Sequence, residues 1–122
     1  MSQRVLDRRK QMSIHVFQAA TRQPLTDLKI PDTIAFLDDL GSSDQEHAPI
    51  TAGLFRMGQG QPMPYTYAFD EFKLILEGEM TVTEASGKVH ELKAGDLIQF
   101  SAGTRVNFSS RSSGLAFYVA QR

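Results

Sequence analysis

Two tyrosines, a glutamate and a lysine lie close together in PYTYAFDEFKLILEGE, which covers residues 64–79. Residues two apart in a β-strand share a face, so Tyr65 and Tyr67 point the same way, and Glu71 and Lys73 also share a face. Two phenols, a carboxylate and an ammonium around one cavity would form a polar pocket for a small molecule. Burial of the Glu71–Lys73 pair would shift its pKa values and suit it to acid–base chemistry.

The same four residues also have a purely structural interpretation. In it, Tyr65 and Tyr67 fill volume in the protein interior, while Glu71 and Lys73 form a mutually satisfied pair at a rim. In the first interpretation these side chains surround a ligand. In the second they contact only each other.

Composition narrows the class of protein. The chain has 122 residues, 41% of them apolar, which fits one domain around one core. We expect a cytoplasmic protein without membrane partners, because the N-terminus lacks the apolar run of a secretory signal and no segment approaches the length of a membrane span. The net charge of −1 argues against a nucleic-acid partner. We interpret the basic cluster of Arg4, Arg8, Arg9 and Lys10 as part of a solvated arm.

The residues that usually bind metals are poorly placed for it. The chain has no cysteine, which excludes disulfides, thiolate nucleophiles and thiolate-bound metals. His15, His47 and His90 are scattered, and none pairs with another at a metal-ligand spacing. We therefore predict no metal and no cofactor. A weaker alternative is an unconventional metal site built from Glu71, a tyrosine and a distant histidine.

Apolar residues alternate along most of the chain, and turn residues separate short strands. This pattern predicts an antiparallel β-sandwich or barrel over residues 50–122. An arm over residues 1–49 precedes it, with short strands that include IHVF at 14–17, and the polar loop at 41–49 marks the boundary. The predicted barrel strands cover residues 50–57, 65–69, 88–92, 97–100, 104–110 and 115–121, together with two strands within 72–85 joined through Glu77–Glu79. Lys93–Asp96 is predicted to form a tight turn.

The spacing of these residues resembles the two motifs of the cupin family. Tyr65-Thr66-Tyr67 stands at the His-x-His position of the first motif, and Glu71 and Gly78 follow at the family's intervals. In the second motif, Gly95 stands at the position of the first glycine, and Ser101-Ala102-Gly103 stands at the Pro-x-Gly position. There Val106 stands where the family has histidine and Ser110 where it has asparagine. Three of the four metal-ligand positions are therefore replaced.

Within the cupins, the chain resembles the EutQ-like branch associated with ethanolamine utilisation. The residues that carry the resemblance are TAG (51–53), Pro64, Thr66, FDE (69–71), LILEGEM (74–80), KAGD (93–96), SAGT (101–104) and FYVA (117–120). The resemblance implies an all-β, single-domain cupin-type antiparallel β-barrel (a double-stranded β-helix or jelly roll). It also implies that Tyr65 and Tyr67 face the barrel interior. Larger EutQ proteins carry an additional N-terminal region.

Two functions are compatible with these observations. The first is a metal-independent cupin that binds a small polar metabolite, such as a carboxylate or an amine, through Tyr65, Tyr67, Glu71 and Lys73. If it is an enzyme, Glu71 acts as general base and Tyr67 as proton donor. The alternative is a non-catalytic or acetate-kinase-like accessory protein of ethanolamine utilisation, although the Gly-rich GQGQ at 58–61 lacks the features of a phosphate-binding loop.

We also expect a homodimer. Cupins commonly cover their sheet edges by pairing or exchanging N-terminal strands across a dimer, and residues 14–17 are the expected donor.

Overall fold

The structure, a computed structural model, describes residues 13–122 and contains eight β-strands and one turn of 3₁₀ helix at Ala20–Arg22. The strands are β1 (Ala35–Ser42), β2 (Thr51–Gly58), β3 (Met63–Thr66), β4 (Glu71–Glu84), β5 (Val89–Lys93), β6 (Leu97–Phe100), β7 (Arg105–Ser109) and β8 (Ser113–Ala120). The basic cluster of Arg4, Arg8, Arg9 and Lys10 lies outside the described residues. No helix in the described part of the chain is long and apolar enough to cross a membrane.

All strand pairs are antiparallel, and they form two sheets that share β4. The first sheet has the order β1-β2-β8-β4-β6, and the second has the order β5-β4-β7-β3. The two sheets enclose a core that is rich in aromatic residues. The expectation of an all-β antiparallel barrel is therefore confirmed.

Strand β4 passes from one sheet to the other at Gly78. Its first half pairs with β6 and β8, and its second half pairs with β5 and β7. Gly78 has a φ of 69°, and a Cβ atom there would lie 1.9 Å from the Ser113 carbonyl oxygen, so only glycine fits. The prediction of two strands joined at Glu77–Glu79 is wrong, because the glycine bends one strand around the barrel corner instead of closing a hairpin.

The arm contributes a full strand to the barrel. Strand β1 pairs with β2 along its length, with a register shift between Asp39 and Gly41. Residues 14–17 belong to no strand of the described chain, so the predicted strand is absent there. Their apolar side chains are exposed, Ile14 by 90%.

The turns and strand ends largely agree with the sequence patterns. Asp96 accepts a hydrogen bond from the Lys93 amide at 2.9 Å, and Gly95 has a φ of 97°, so the predicted turn at residues 93–96 is confirmed. One boundary differs at the site itself. Strand β3 ends at Thr66, so Tyr67 lies in the connection to β4 and not within a strand over 65–69.

Candidate functional site

A cavity of about 310 Å³ lies between the two sheets and is open to solvent. Strands from both sheets contribute to its walls, and Leu28 and Ile30 from the segment before β1 also line it. The lining residues are Leu28, Ile30, Leu37, Phe55, Met63, Pro64, Tyr65, Tyr67, Phe69, Glu71, Lys73, Phe108 and Arg122. The cavity is therefore mostly apolar with a few polar groups, which is the usual composition of a small-molecule site.

Three polar side chains meet in the wall of this cavity. The Tyr67 hydroxyl donates to Glu71 Oε2 at 2.6 Å, and Lys73 Nζ donates to the same oxygen at 2.5 Å. All three residues are buried, with 2–4% of their surface exposed. Glu71 and Lys73 therefore lie deep in the barrel and not at its rim. Charged residues that are this deeply buried need partners of opposite charge. Here Glu71 is the partner of Lys73, and Lys73 is the partner of Glu71.

Backbone hydrogen bonds hold Tyr67 in position although it lies outside a strand. Its amide donates to the Thr104 carbonyl at 2.8 Å, and its carbonyl accepts from the Gly103 amide at 2.7 Å. Glu71 and Lys73 lie on alternate positions of β4, so both side chains point inward. The turn at residues 101–104 and the start of β4 together bring the phenol onto the carboxylate.

Aromatic rings surround the Lys73 ammonium. Its Nζ atom lies 4.8 Å from the Tyr118 ring centroid and 5.1 Å from that of Phe55. The other rings within 6.0 Å belong to Tyr67, Phe100 and Phe108. The negative faces of such rings stabilise a cation, which partly offsets the loss of water around it.

Burial dominates the protonation behaviour of the site. It lowers the pKa of Lys73, although the neighbouring Glu71 carboxylate acts in the opposite direction. Burial and the Glu71 charge together raise the pKa of Tyr67 well above its usual range. Tyr67 is thus a phenol that donates its proton in a hydrogen bond and does not ionise near neutral pH.

Tyr65 lies at the mouth of the cavity. Its ring contacts Tyr67 edge to face, with 4.8 Å between the centroids, and 39% of its surface is exposed. Phe69 contacts the other side of Tyr67, and the Arg122 guanidinium lies over Phe69 at 5.2 Å. The predicted residues Tyr65, Tyr67, Glu71 and Lys73 thus line one cavity, three of them linked by hydrogen bonds and Tyr65 at the entrance.

A second polar group, which the sequence patterns do not indicate, lies next to the first. The Tyr118 hydroxyl donates to Asp39 Oδ1 at 2.6 Å, and Arg122 donates to both Asp39 oxygens at 3.0 and 2.8 Å. The hydrogen bond from Arg122 lowers the pKa of Asp39, and burial raises that of Tyr118. Alternation along FYVA indicates one face for Tyr118 and Ala120, but no sequence pattern links that face to Asp39.

The residues at the cupin ligand positions do not fit a metal ion. Val106, opposite Tyr65 in the β3–β7 pair, is buried and has no ligand atom. Glu71 Oε2 already accepts a hydrogen bond from a lysine, which would repel a second cation. In residues 13–122, no three histidine, aspartate or glutamate side chains form a metal-ligand group. Val106 and the lysine therefore make this interior unsuited to the metal that the fold commonly carries.

The histidines lie away from the cavity. His15 and His47 are exposed, and His90 pairs with Glu84 Oε2 at 2.5 Å on the second sheet. Glu79 is half-buried and accepts hydrogen bonds from Ser110 and Ser112. Burial alone would raise the pKa of Glu79, but these hydrogen bonds outweigh it and lower that pKa.

Several known proteins are similar to this chain. The curated acetate kinase EutQ of Escherichia coli K12 is 33% identical over 84 residues, which are 69% of this chain and 35% of that protein. The chain therefore spans about a third of that relative's length. The crystal structure described as EutQ of Salmonella typhimurium LT2 has a TM-score of 0.64 and 28% identity, over 72% of this chain and 69% of that one.

More distant structures show the same fold. The Clostridium difficile EutQ protein has a TM-score of 0.68 at 19% identity, over 88% of this chain and 74% of that one. The polyketide cyclase RemF of Streptomyces resistomycificus has a TM-score of 0.70 at 17% identity, over 88% and 79% of the two chains. These likenesses confirm the cupin β-barrel.

The family assignment rests on the sequence itself. The sequence profile of the family described as "EutQ-like cupin domain" matches residues 45–114, which are more than half of the chain. That range includes Tyr65, Tyr67, Glu71 and Lys73. The chain belongs to the family of EutQ-like cupin domains.

Proposed function

We propose that this protein binds a small polar metabolite in the barrel cavity without a metal ion, and that Glu71 serves as its general base while the Tyr67 hydroxyl stabilises the charge that develops. The observation that carries this proposal is the buried Tyr67–Glu71–Lys73 cluster in the wall of a cavity of about 310 Å³. A cavity of this size accommodates a metabolite of a few carbon atoms. Glu71 accepts both of its hydrogen bonds on Oε2, so a ligand would approach Oε1.

The chemistry of the walls suggests how the ligand would bind. Phe55, Phe69 and Phe108 supply apolar surface, and Glu71 supplies a hydrogen-bond acceptor. Tyr65 stands at the entrance, where its hydroxyl can reach both the solvent and the ligand. In an enzyme of this design, Glu71 removes a proton from the ligand and Tyr67 stabilises the negative charge that results.

The experiment is a ligand-observed NMR screen of small carboxylates, amines, alcohols and carbonyl compounds against the parent protein. Each hit is then measured with Tyr67→Phe and Glu71→Gln. We expect Glu71→Gln to weaken binding about tenfold or more, the loss of one hydrogen bond to a charged group. Glu91→Gln, on the exposed side of β5, is the matched control. Folded variants that bind every hit as the parent does would refute the proposal.

The relative named acetate kinase supports a second proposal, in which this chain acts in ethanolamine utilisation as a kinase or as an accessory protein. The match covers 35% of that relative, so the likeness extends to only part of the named kinase. The test is the formation of acetyl phosphate from acetate and ATP with Mg²⁺, together with the melting temperature in millimolar nucleotide. If no acetyl phosphate forms and the melting temperature does not shift, these results would count against the kinase.

We further propose a homodimer formed through the outer face of the first sheet. Phe72 and Leu97 lie on that face and are exposed by 43% and 62%, beside Leu74. The exposed segment at residues 14–17 supplies additional apolar surface. A second copy would bury this surface and cover the sheet. Sedimentation should give twice the chain mass of 13.6 kDa for the parent and the single chain mass for Leu97→Lys.

A further inference from the structure

Lys73 differs from the other lysines that the structure describes. Lys29, Lys88 and Lys93 are exposed, whereas Lys73 retains 4% of its surface and lines the cavity. An exposed lysine is protonated at neutral pH and is a poor nucleophile. A lysine in an apolar pocket more readily gives up its proton, which is how amines are activated for covalent catalysis.

The surroundings of Lys73 combine two conditions that favour such chemistry. Five aromatic rings within 6.0 Å keep water away from Nζ. One carboxylate, Glu71, lies 2.5 Å away and can take the proton. Burial also lowers the pKa of the amine. The pair has two protonation states: an ammonium with a carboxylate, or a neutral amine with a carboxylic acid. The difference in free energy between these two states is smaller in a dry site than in water.

We propose that Lys73 forms an imine with a small aldehyde or ketone that enters the barrel cavity, and that Glu71 carries the protons of this condensation. The inference rests on the proposed function, because it requires that the cavity admit a ligand. It names the substrate class of that same site, which is carbonyl compounds with a short apolar or aromatic substituent. The apolar cavity walls would contact that substituent, while the carbonyl carbon would face Nζ.

The steps balance within the site. The Lys73 ammonium gives one proton to Glu71, and the free amine attacks the carbonyl carbon, forming the C–N bond. The carbonyl oxygen takes a proton from the new nitrogen and becomes a hydroxyl. Glu71 then returns its proton to that hydroxyl, the C–O bond breaks, and water leaves. The product is a protonated imine opposite an ionised Glu71, so the charge of the pair is the same before and after.

The test is reductive trapping on the full-length protein at neutral pH. Butyraldehyde and, separately, benzaldehyde are added with sodium cyanoborohydride, and labelled lysines are located by peptide mass spectrometry over time. Trapping adds the mass of the aldehyde less one oxygen atom. A carboxylate that is placed to carry the protons accelerates such a step by about a hundredfold or more. Because Glu71 lies 2.5 Å from Lys73 Nζ, we expect Lys73 to be labelled at least about tenfold faster than Lys88 in the same sample.

Two variants refine this result. Lys88→Arg should leave the rate at Lys73 unchanged, and Glu71→Gln should slow it because no acid remains to expel water. A rate in Glu71→Gln equal to or above that of the parent would remove Glu71 from the proposed steps.

Labelling of Lys73 at or below the rate of Lys88 with both aldehydes would overturn the inference. In that case, metabolite binding in the NMR screen would still support the proposed function, so the two proposals can fail separately. Because the decisive comparison uses two lysines of the parent protein, it does not depend on whether a Lys73 variant folds.

Discussion

Lys73 Nζ and Glu71 Oε2 lie 2.5 Å apart inside the barrel, and Glu71 stands at the carboxylate position of the cupin motif. The lysine thus supplies a positive charge that belongs to the chain itself. The Tyr67 hydroxyl donates to the same oxygen, so a phenol and an ammonium together satisfy one carboxylate. This relationship explains how the barrel accommodates a buried glutamate.

The first prediction concerns the energy of this pair. Lys73→Met should lower the free energy of unfolding by about 3–5 kcal/mol, because it leaves Glu71 charged and buried with one donor fewer. The double variant Lys73→Met with Glu71→Gln should recover most of that loss, since no charge remains to be buried. Urea unfolding measures both values.

The exposed pair Arg111–Glu91 serves as the control for this cycle, with its atoms 3.0 Å apart. Arg111→Ala should change the free energy of unfolding by less than about 1 kcal/mol, because water screens exposed pairs. A Lys73→Met variant as stable as the parent would contradict the importance of the buried pair.

The second prediction compares one substitution on the two faces of the first sheet. Phe100 is buried and stacks on Tyr67 with 4.5 Å between the ring centroids, whereas Phe72 is 43% exposed on the opposite face. Phe100→Ala should cost about 3–5 kcal/mol of unfolding free energy, because it leaves a cavity beside Tyr67. Phe72→Ala should cost about 1 kcal/mol or less when both substitutions are compared in the monomeric Leu97→Lys background. Equal costs in thermal or urea unfolding would contradict this assignment of faces.

The third prediction concerns two glycines with positive φ. Gly78 has a φ of 69° and Gly87 a φ of 96°, but only Gly78 has backbone atoms where a Cβ would lie. Gly87→Ala should cost about 1–2 kcal/mol, from backbone conformation alone. Gly78→Ala should cost about 1–3 kcal/mol more, because the added atom would clash with Ser113. Equal destabilisation in urea would show that β4 can bend without this close approach.

The fourth prediction concerns the three tyrosines at high pH. Burial raises the pKa of Tyr67 and Tyr118 far more than that of the half-exposed Tyr65. In the unfolded chain all three ionise near pH 10. Because the folded values are raised, the stability that Tyr67 and Tyr118 contribute is complete below about pH 10 and is lost as the pH rises further.

Phenolate absorbance measures this behaviour. Tyr65 should ionise first and reversibly, and the other two should ionise only as circular dichroism reports unfolding. Tyr65→Phe should abolish the first step and leave the second. Reversible ionisation of all three tyrosines in the folded protein would contradict their burial.

The fifth prediction concerns Asp39 at low pH. The hydrogen bond from Arg122 lowers the pKa of Asp39, so its contribution to stability is present above its unfolded value of about 3.9 and is lost as the pH falls through the folded value. Asp39→Asn should therefore lose less stability than the parent between neutral and acid pH. Asp32→Asn, in an exposed turn, is the control. Parallel acid titrations of the parent and Asp39→Asn would show that the Arg122 pair contributes nothing.

Local patterns in the sequence determined most of the fold and part of the site. Alternation and turn residues indicated the barrel strands, because strand and turn preferences act between near neighbours. The motif spacing brought Tyr65, Tyr67 and Glu71 into one group, and alternation along the strand added Lys73. The prediction failed at Gly78, because the same residue that closes a hairpin can also bend a continuous strand, and only the strands beside it decide which occurs.

Tertiary structure decided what these residues can do. Whether Glu71 and Lys73 lie at a rim or deep in the barrel depends on Phe55, Phe100 and Tyr118, which come from three other strands. The pairing of Tyr118 with Asp39 joins residues 79 positions apart, which no local pattern encodes. The sequence by itself determined the types and spacing of the polar groups. Their burial, and therefore their pKa values and partners, arises only when distant strands close around them.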